Sequence, residues 1–197
     1  MDWAGFEPAT SALPTRRSYQ SDLPALVKIF LSSTVKSYLS DLNPGRWILC
    51  VMRLTEIFTA RGHQNIKATH RTTLMITKDS ELTTRGDCIV AVGLNKGPSE
   101  ISSKFKEMIQ LSDSSITLTM RIDGFRFDVT GSGDPSLNLK HRTDMVVRRS
   151  RYVDDRTLMV QSDAAAIDIP RSFVDLLKDE EKTVFLSLTV ETSEYCQ

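Results

Sequence analysis

The sequence predicts a mainly β domain with two helices, on three observations. Apolar and polar residues alternate in short runs, the period of half-buried strands. Two other runs place apolar side chains at i, i+4, i+7 and i+8, the spacing of one helix face: Ile101, Phe105, Met108 and Ile109, then Ile169, Phe173, Leu176 and Leu177. The whole pattern also occurs twice. Residues 88–122 align without a gap on 156–190, pairing Val92 with Val160, Phe105 with Phe173 and Ile109 with Leu177.

Each element follows from its residues. The first strand is expected at 54–61, with its counterpart at 125–130; the second at 70–78 and 143–150; the third at 87–93 and 156–161. A helix comes next in each half, the later one introduced by Pro170, which suits a first turn. The closing strands alternate strictly, as Ile116, Leu118, Met120 and Ile122, and as Val184, Leu186, Leu188 and Val190. Dropping three residues between Asp79 and Asp87 brings His70-Arg71-Thr72 onto His141-Arg142-Thr143 and Gly62 onto Gly133. The expected fold is therefore β-β-β-α-β twice, in halves 54–122 and 125–190, mainly antiparallel, with a pseudo-twofold axis. A closed or partly open β-barrel removes exposed sheet edges. A two-layer β-sandwich with the same duplication is the alternative, and periodicity does not separate them.

Residues 1–51 differ in kind, holding both tryptophans and none of the three histidines. Their opening, "WAGFEPATSALPTRRSYQSDLPA", resembles a transfer-RNA gene translated in antisense, whose T-arm reads as Gly-Phe-Glu-Pro, here Gly5 to Pro8. A spurious or disordered extension is the expectation, with the domain proper over 52–197. Leu23, Leu26, Val27, Phe30, Leu31, Val35 and Tyr38 would alternatively make an amphipathic helix over 24–42.

Composition narrows the function class. Formal net charge is zero, and from Met52 onward 20 Lys plus Arg face 21 Asp plus Glu, so only a local patch could draw the domain to a polyanion. The three cysteines, Cys50, Cys88 and Cys196, show no disulfide or zinc spacing, and no apolar run nears the ~20 residues of a spanning helix. A cytoplasmic protein with no membrane partner is expected.

"ARGHQNIKATHRTTLMIT", "LTTRGDCIVAVG", "GSGDPSLNL" and "DMVVRRS" occur in that order. Together they resemble the archaeal family known as domain of unknown function 371, over about 54–192. The resemblance implies an archaeal source and a β-rich fold, and it implies no activity or cofactor. The chain departs from the family at Met75, commonly acidic, and at Thr84, commonly proline.

Two polar groups are candidates for function. The stretch Gly62 to Cys88 holds His63, Asn65, His70, Arg85, Asp87 and Cys88, the catalytic candidates of an enzyme such as a hydrolase or transferase. The spacing of its histidines matches no zinc motif, so no metal is expected. Cys88 opens a strand at the place Arg156 holds in the other half, which favours a packed thiol over a nucleophile. The second group, Arg71, Thr72, His141, Arg142, Asp134 and Arg148, fits an anionic ligand or nucleic acid. Asp134 lies in "GSGDP", either a backbone nest for an anion or a hairpin turn. Few aromatics, Tyr152 and Tyr195 being the only tyrosines after Met52, argue against base stacking as the main binding mode. A soluble binding module for an anion leads; an enzyme and a structural or partner-binding subunit follow. Oligomeric state is left open.

Overall fold

In the computed structural model, residues 48–196 are described, as eight strands and two α-helices. They divide into two four-stranded sheets. The first has the order β1 (Ile48–Arg61), β8 (Thr183–Cys196), β4 (Ser115–Ile122), β5 (Phe125–Ser132), with every neighbouring pair antiparallel. The second has the order β3 (Ile89–Ala91), β2 (Thr73–Thr77), β6 (Asp144–Arg148), β7 (Thr157–Met159). Helices α1 (Ser103–Ile109) and α2 (Arg171–Leu177) precede β4 and β8, respectively.

The alternation read from the sequence sets the faces. Ile116, Leu118, Met120 and Ile122 on β4, and Val184, Leu186, Leu188 and Val190 on β8, are buried in one core with Leu74, Ile76, Met145 and Val147 from the second sheet. Phe105 and Ile109 of α1 and Phe173 and Leu177 of α2 complete it. The Ser102 hydroxyl accepts from the Phe105 N–H and caps α1, as a short polar side chain does for free first-turn amides. Asp123 and Gly124 take positive φ, +47° and +81°, which makes the two-residue turn that joins β4 to β5 and fixes the register Ile122 opposite Phe125.

Several expectations are corrected. The described strands form two sheets, with no closed barrel; bridges from Arg61 to Val92 and from Ser132 to Val160 tie the ends of the first sheet's outer strands to residues just beyond β3 and β7. The second sheet is mixed, since β2 runs parallel to β3 and β6 parallel to β7. Side-chain alternation reports which face is buried and not the direction of the neighbouring strand. β1 begins at Ile48, inside the stretch expected as an extension, and the possible helix over 24–42 lies outside the described residues. "GSGDP" is not a positive-φ glycine turn: Gly131 lies in β5, and Gly133 serves close approach. A Cβ there would stand 2.2 Å from the Ile109 carbonyl oxygen at the end of α1, and one on Gly62 would stand 2.4 Å from that of Leu177 at the end of α2. The following amides use the space, Asp134 donating to Ile109 and His63 to Leu177. No described helix is long and apolar enough to cross a membrane.

Candidate functional site

Among the described residues no hydrogen bond joins the side chains of two catalytic candidates. After β1 the chain runs beside the loop that follows β2, held by Asn65 Nδ2 to the Leu82 carbonyl, Lys67 Nζ to Thr84, and the Thr69 and His70 amides to Asp87. His63 is buried at the start of this run, its Nδ1 accepting from the Asn65 N–H and its Nε2 3.9 Å from Glu180. His70 stands at the far end, its Nδ1 facing the Thr72 N–H. Asp87 enters these contacts through its backbone, and Arg85 is exposed. The surface hollows at Arg121–Arg126 with Phe185 and at Thr59–Arg61 with Asn95 are lined by none of these residues. Cys88 is half-buried; burial, and then the Asp87 charge, push its thiol above its ordinary range, the reverse of what a nucleophile needs. Among the described residues no three His, Cys, Asp or Glu side chains gather as metal ligands.

The ligand candidates fall in three places. In the β2–β6 ladder Thr73 faces Arg148 and Thr77 faces Asp144, so His70-Arg71-Thr72 lies beside the end of β6 and His141-Arg142-Thr143 beside the end of β2. The ends of this ladder are about 13 Å apart, so Arg71 and Arg142 stand at opposite ends of it. Asp134 sits elsewhere, below the end of α1, its carboxylate accepting from the Ser136 N–H.

Arg71, Thr72 and Arg148 do come together, at a corner that also holds Arg149. The Arg149 amide donates to Thr72, and its guanidinium donates to the Arg71 and Asp163 carbonyls and to the Asp168 carboxylate. Arg171 donates to the carbonyls of Lys67 and Ala68 on the same segment. Such forks suit arginine, which offers several donors in fixed geometry. The local carboxylates are engaged: Asp168 by Arg149 and the Ala165 N–H, Asp163 by the Thr130 N–H. Arg71 and Arg151 are exposed and make no ion pair among the described residues.

The loop after β6 folds back over the outer face of the second sheet and is pinned by charge. Asp154 accepts from Arg148 Nη2 at 2.6 Å, from Arg156 Nη2 at 3.2 Å and from the Thr157 hydroxyl at 2.7 Å, while Arg156 reaches Asp144 at 3.5 Å. Burial alone would raise the Asp154 pKa, but the Thr157 hydrogen bond and the Arg148 charge outweigh it and hold the carboxyl below its ordinary value. Arg148, locked by Asp154 and Thr157, lies over the Tyr152 ring at 4.9 Å from its centroid. Tyr152 is 62% exposed. The sequence shows Arg148, Arg149 and Arg151 as one basic cluster with Lys140, Arg142 and Arg156, but not that the first three lie near Arg71, nor that Tyr152 joins them; the compact run "RRSRY" was the available signal for the tyrosine.

The geometry names no reaction, and the comparisons with known proteins agree in naming none. The chain is similar to "Uncharacterized protein MJ0206" of the archaeon Methanocaldococcus jannaschii, 39% identical over 129 residues, covering 66% of this chain and 95% of the relative. A family model matches residues 58–191, so that β2 to β7, both helices, and the arginine corner lie within it. The chain belongs to the family described as Domain of unknown function (DUF371).

Proposed function

We propose that the domain is a binding module for an anionic ligand, engaged at the corner formed by Arg71, Arg149 and Arg151. The observation that carries this reading is the mismatch of charge there. Arg149 is neutralised by Asp168 and ties the segment together through the Arg71 carbonyl, while Arg71 and Arg151 remain exposed without a carboxylate partner among the described residues. Exposed guanidinium groups on segments tied together by Arg149 offer donors to phosphate or carboxylate oxygens. The domain as a whole is near neutral, so the attraction is local and salt-sensitive.

The same reading takes the two halves as products of an internal duplication. Matching hydrogen bonds support it: Met75 to Cys88 answers Val146 to Arg156, and Asn95 to Thr59 answers Asp163 to Thr130. The corner is then a place where the copies diverged. Residues 80–86, which fill the corresponding loop of the first half, contain no aromatic and only one arginine, Arg85.

The test is calorimetric titration of the full chain with inorganic polyphosphate at several salt concentrations. Arg71→Ala and Arg151→Ala should each weaken binding by about fivefold and flatten the dependence of log K on log salt by roughly one unit. No binding at low salt, or binding that neither substitution alters, overturns the proposal.

A further inference from the structure

Beside the corner arginines the loop holds out one aromatic ring, and the geometry points to a single-stranded nucleic acid as the ligand, with one base stacked on Tyr152 and its phosphates at Arg71 and Arg151. This deepens the anion-binding reading and rests on it. A polyanion without bases would need only the arginines. Tyr152 is 62% exposed, where a ring of this size forgoes much of the benefit of burial.

Arg148 lies against the ring, and Tyr152 stays largely exposed. Arg148 sits 4.9 Å from the ring centroid, and its guanidinium is fixed by Asp154 at 2.6 Å and the Thr157 hydroxyl at 3.0 Å. The Tyr152 amide faces the Ser150 hydroxyl at 3.3 Å. The ring is thus backed by a held cation before any ligand arrives, and little ordering remains to be done on binding. A base on the exposed ring completes a guanidinium–phenol–base stack. The next residue back along the chain, Arg151, and Arg71, whose carbonyl is held by Arg149, are both exposed and supply the cations for its phosphates.

A stacking plane with nearby arginines that make no ion pair among the described residues fits a strand whose bases are free. In a duplex the bases are stacked on one another, and only the backbone would be available to this surface. One tyrosine serves one base, so the contact is short and tolerant of sequence, consistent with the small number of aromatics in the domain.

The experiment is fluorescence anisotropy of the full chain with labelled oligouridylate, oligothymidylate and a matched duplex, alongside titration with polyphosphate. Tyr152→Ala should weaken both single strands by about 5- to 150-fold, leave polyphosphate binding unchanged, and be rescued by Tyr152→Phe. Tighter binding of oligouridylate than of oligothymidylate assigns RNA, and equal binding assigns single strands generally. Wild-type binding by Tyr152→Ala, a duplex bound as tightly as a single strand, or polyglutamate bound as tightly and lost with the same substitutions overturns the inference. If polyphosphate binding persists and falls on Arg71→Ala while Tyr152 proves silent, the anion reading stands alone. If no polyanion binds, both fall.

Discussion

Replacing Asp154 by Asn isolates the charge network that shapes the candidate surface. The carboxylate takes hydrogen bonds from Arg148, Arg156 and Thr157, and from the Arg156 amide at 3.1 Å. Asn keeps the volume but loses the charge, and its NH₂ group points a donor at one of the arginines. Arg148 and Asp154 have side chains only 14% and 18% exposed, so solvent replaces little of what is lost. Leaving one partner of a fully buried pair uncompensated costs about 3–5 kcal/mol, and the residual exposure here lowers that to about 2–4 kcal/mol. For a domain of this size the melting temperature should fall by roughly 5–15 °C, read by circular dichroism with a urea titration at the same pH. The pH dependence has a definite sign. Because the folded-state carboxyl is held below its unfolded value of about 3.9, its contribution is complete above that value and is lost as pH falls through the lower folded one. The gap between Asp154→Asn and the parent protein should therefore be full near neutrality and close under acid below about pH 4. A loss under about 0.5 kcal/mol at neutral pH, the range of an exposed ion pair, or a gap that widens in acid would refute the reasoning.

The glycines that receive the helix ends should be intolerant of any side chain. Gly62→Ala and Gly133→Ala each set a methyl against a backbone carbonyl oxygen at under 2.5 Å and should cost about 2 kcal/mol or more in urea denaturation. Gly93→Ala is the control for space alone: nothing lies within 4 Å of its Cβ position, so its cost should be limited to the strain of its positive φ, about 1 kcal/mol. Cys88, studied with Cys50 and Cys196 replaced by Ser, should react with a thiol reagent more slowly than a free thiol at pH 8, because burial raises its pKa, and the rate should keep rising at pH values where a free thiol has levelled off.

The faces of the fold were legible and the pairing was not. Strict alternation at Ile116 to Ile122 and Val184 to Val190 marks residues that are buried, and the helical spacing at Phe105 and Phe173 marks two more. These patterns depend on a local period, and local sequence carries it. Strand direction depends on where a loop returns, so the parallel pairs β2–β3 and β6–β7 had no local signature. Gly62 and Gly133 were visible as a matched pair, but their purpose depends on helix ends distant in sequence, Leu177 for Gly62 and Ile109 for Gly133. The site was legible in part for the same reason. Arg71 and Thr72 were named from the repeated His-Arg-Thr segment and Arg148 from a run of basic residues, yet their assembly at one corner, and the separation of Arg142 from them, follow from the antiparallel β2–β6 register.

That register also supplies an internal control. Arg71 and Arg142 stand at matching positions of the two "HRT" segments, both exposed, at opposite ends of one ladder. The neighbour of Arg71 is Arg149, followed by Arg151 and Tyr152; the neighbour of Arg142 is Lys78, whose amide donates to Thr143 and whose ammonium pairs with Glu100 at 2.7 Å. After Lys78 the chain continues with Asp79, Ser80 and Glu81, so the second corner carries acidic residues where the first carries arginine and tyrosine. If the segment alone bound anions, both substitutions would matter equally. If the neighbours decide, Arg71→Ala should weaken polyphosphate binding by about fivefold while Arg142→Ala leaves it unchanged, and equal losses would return the function to the repeated segment.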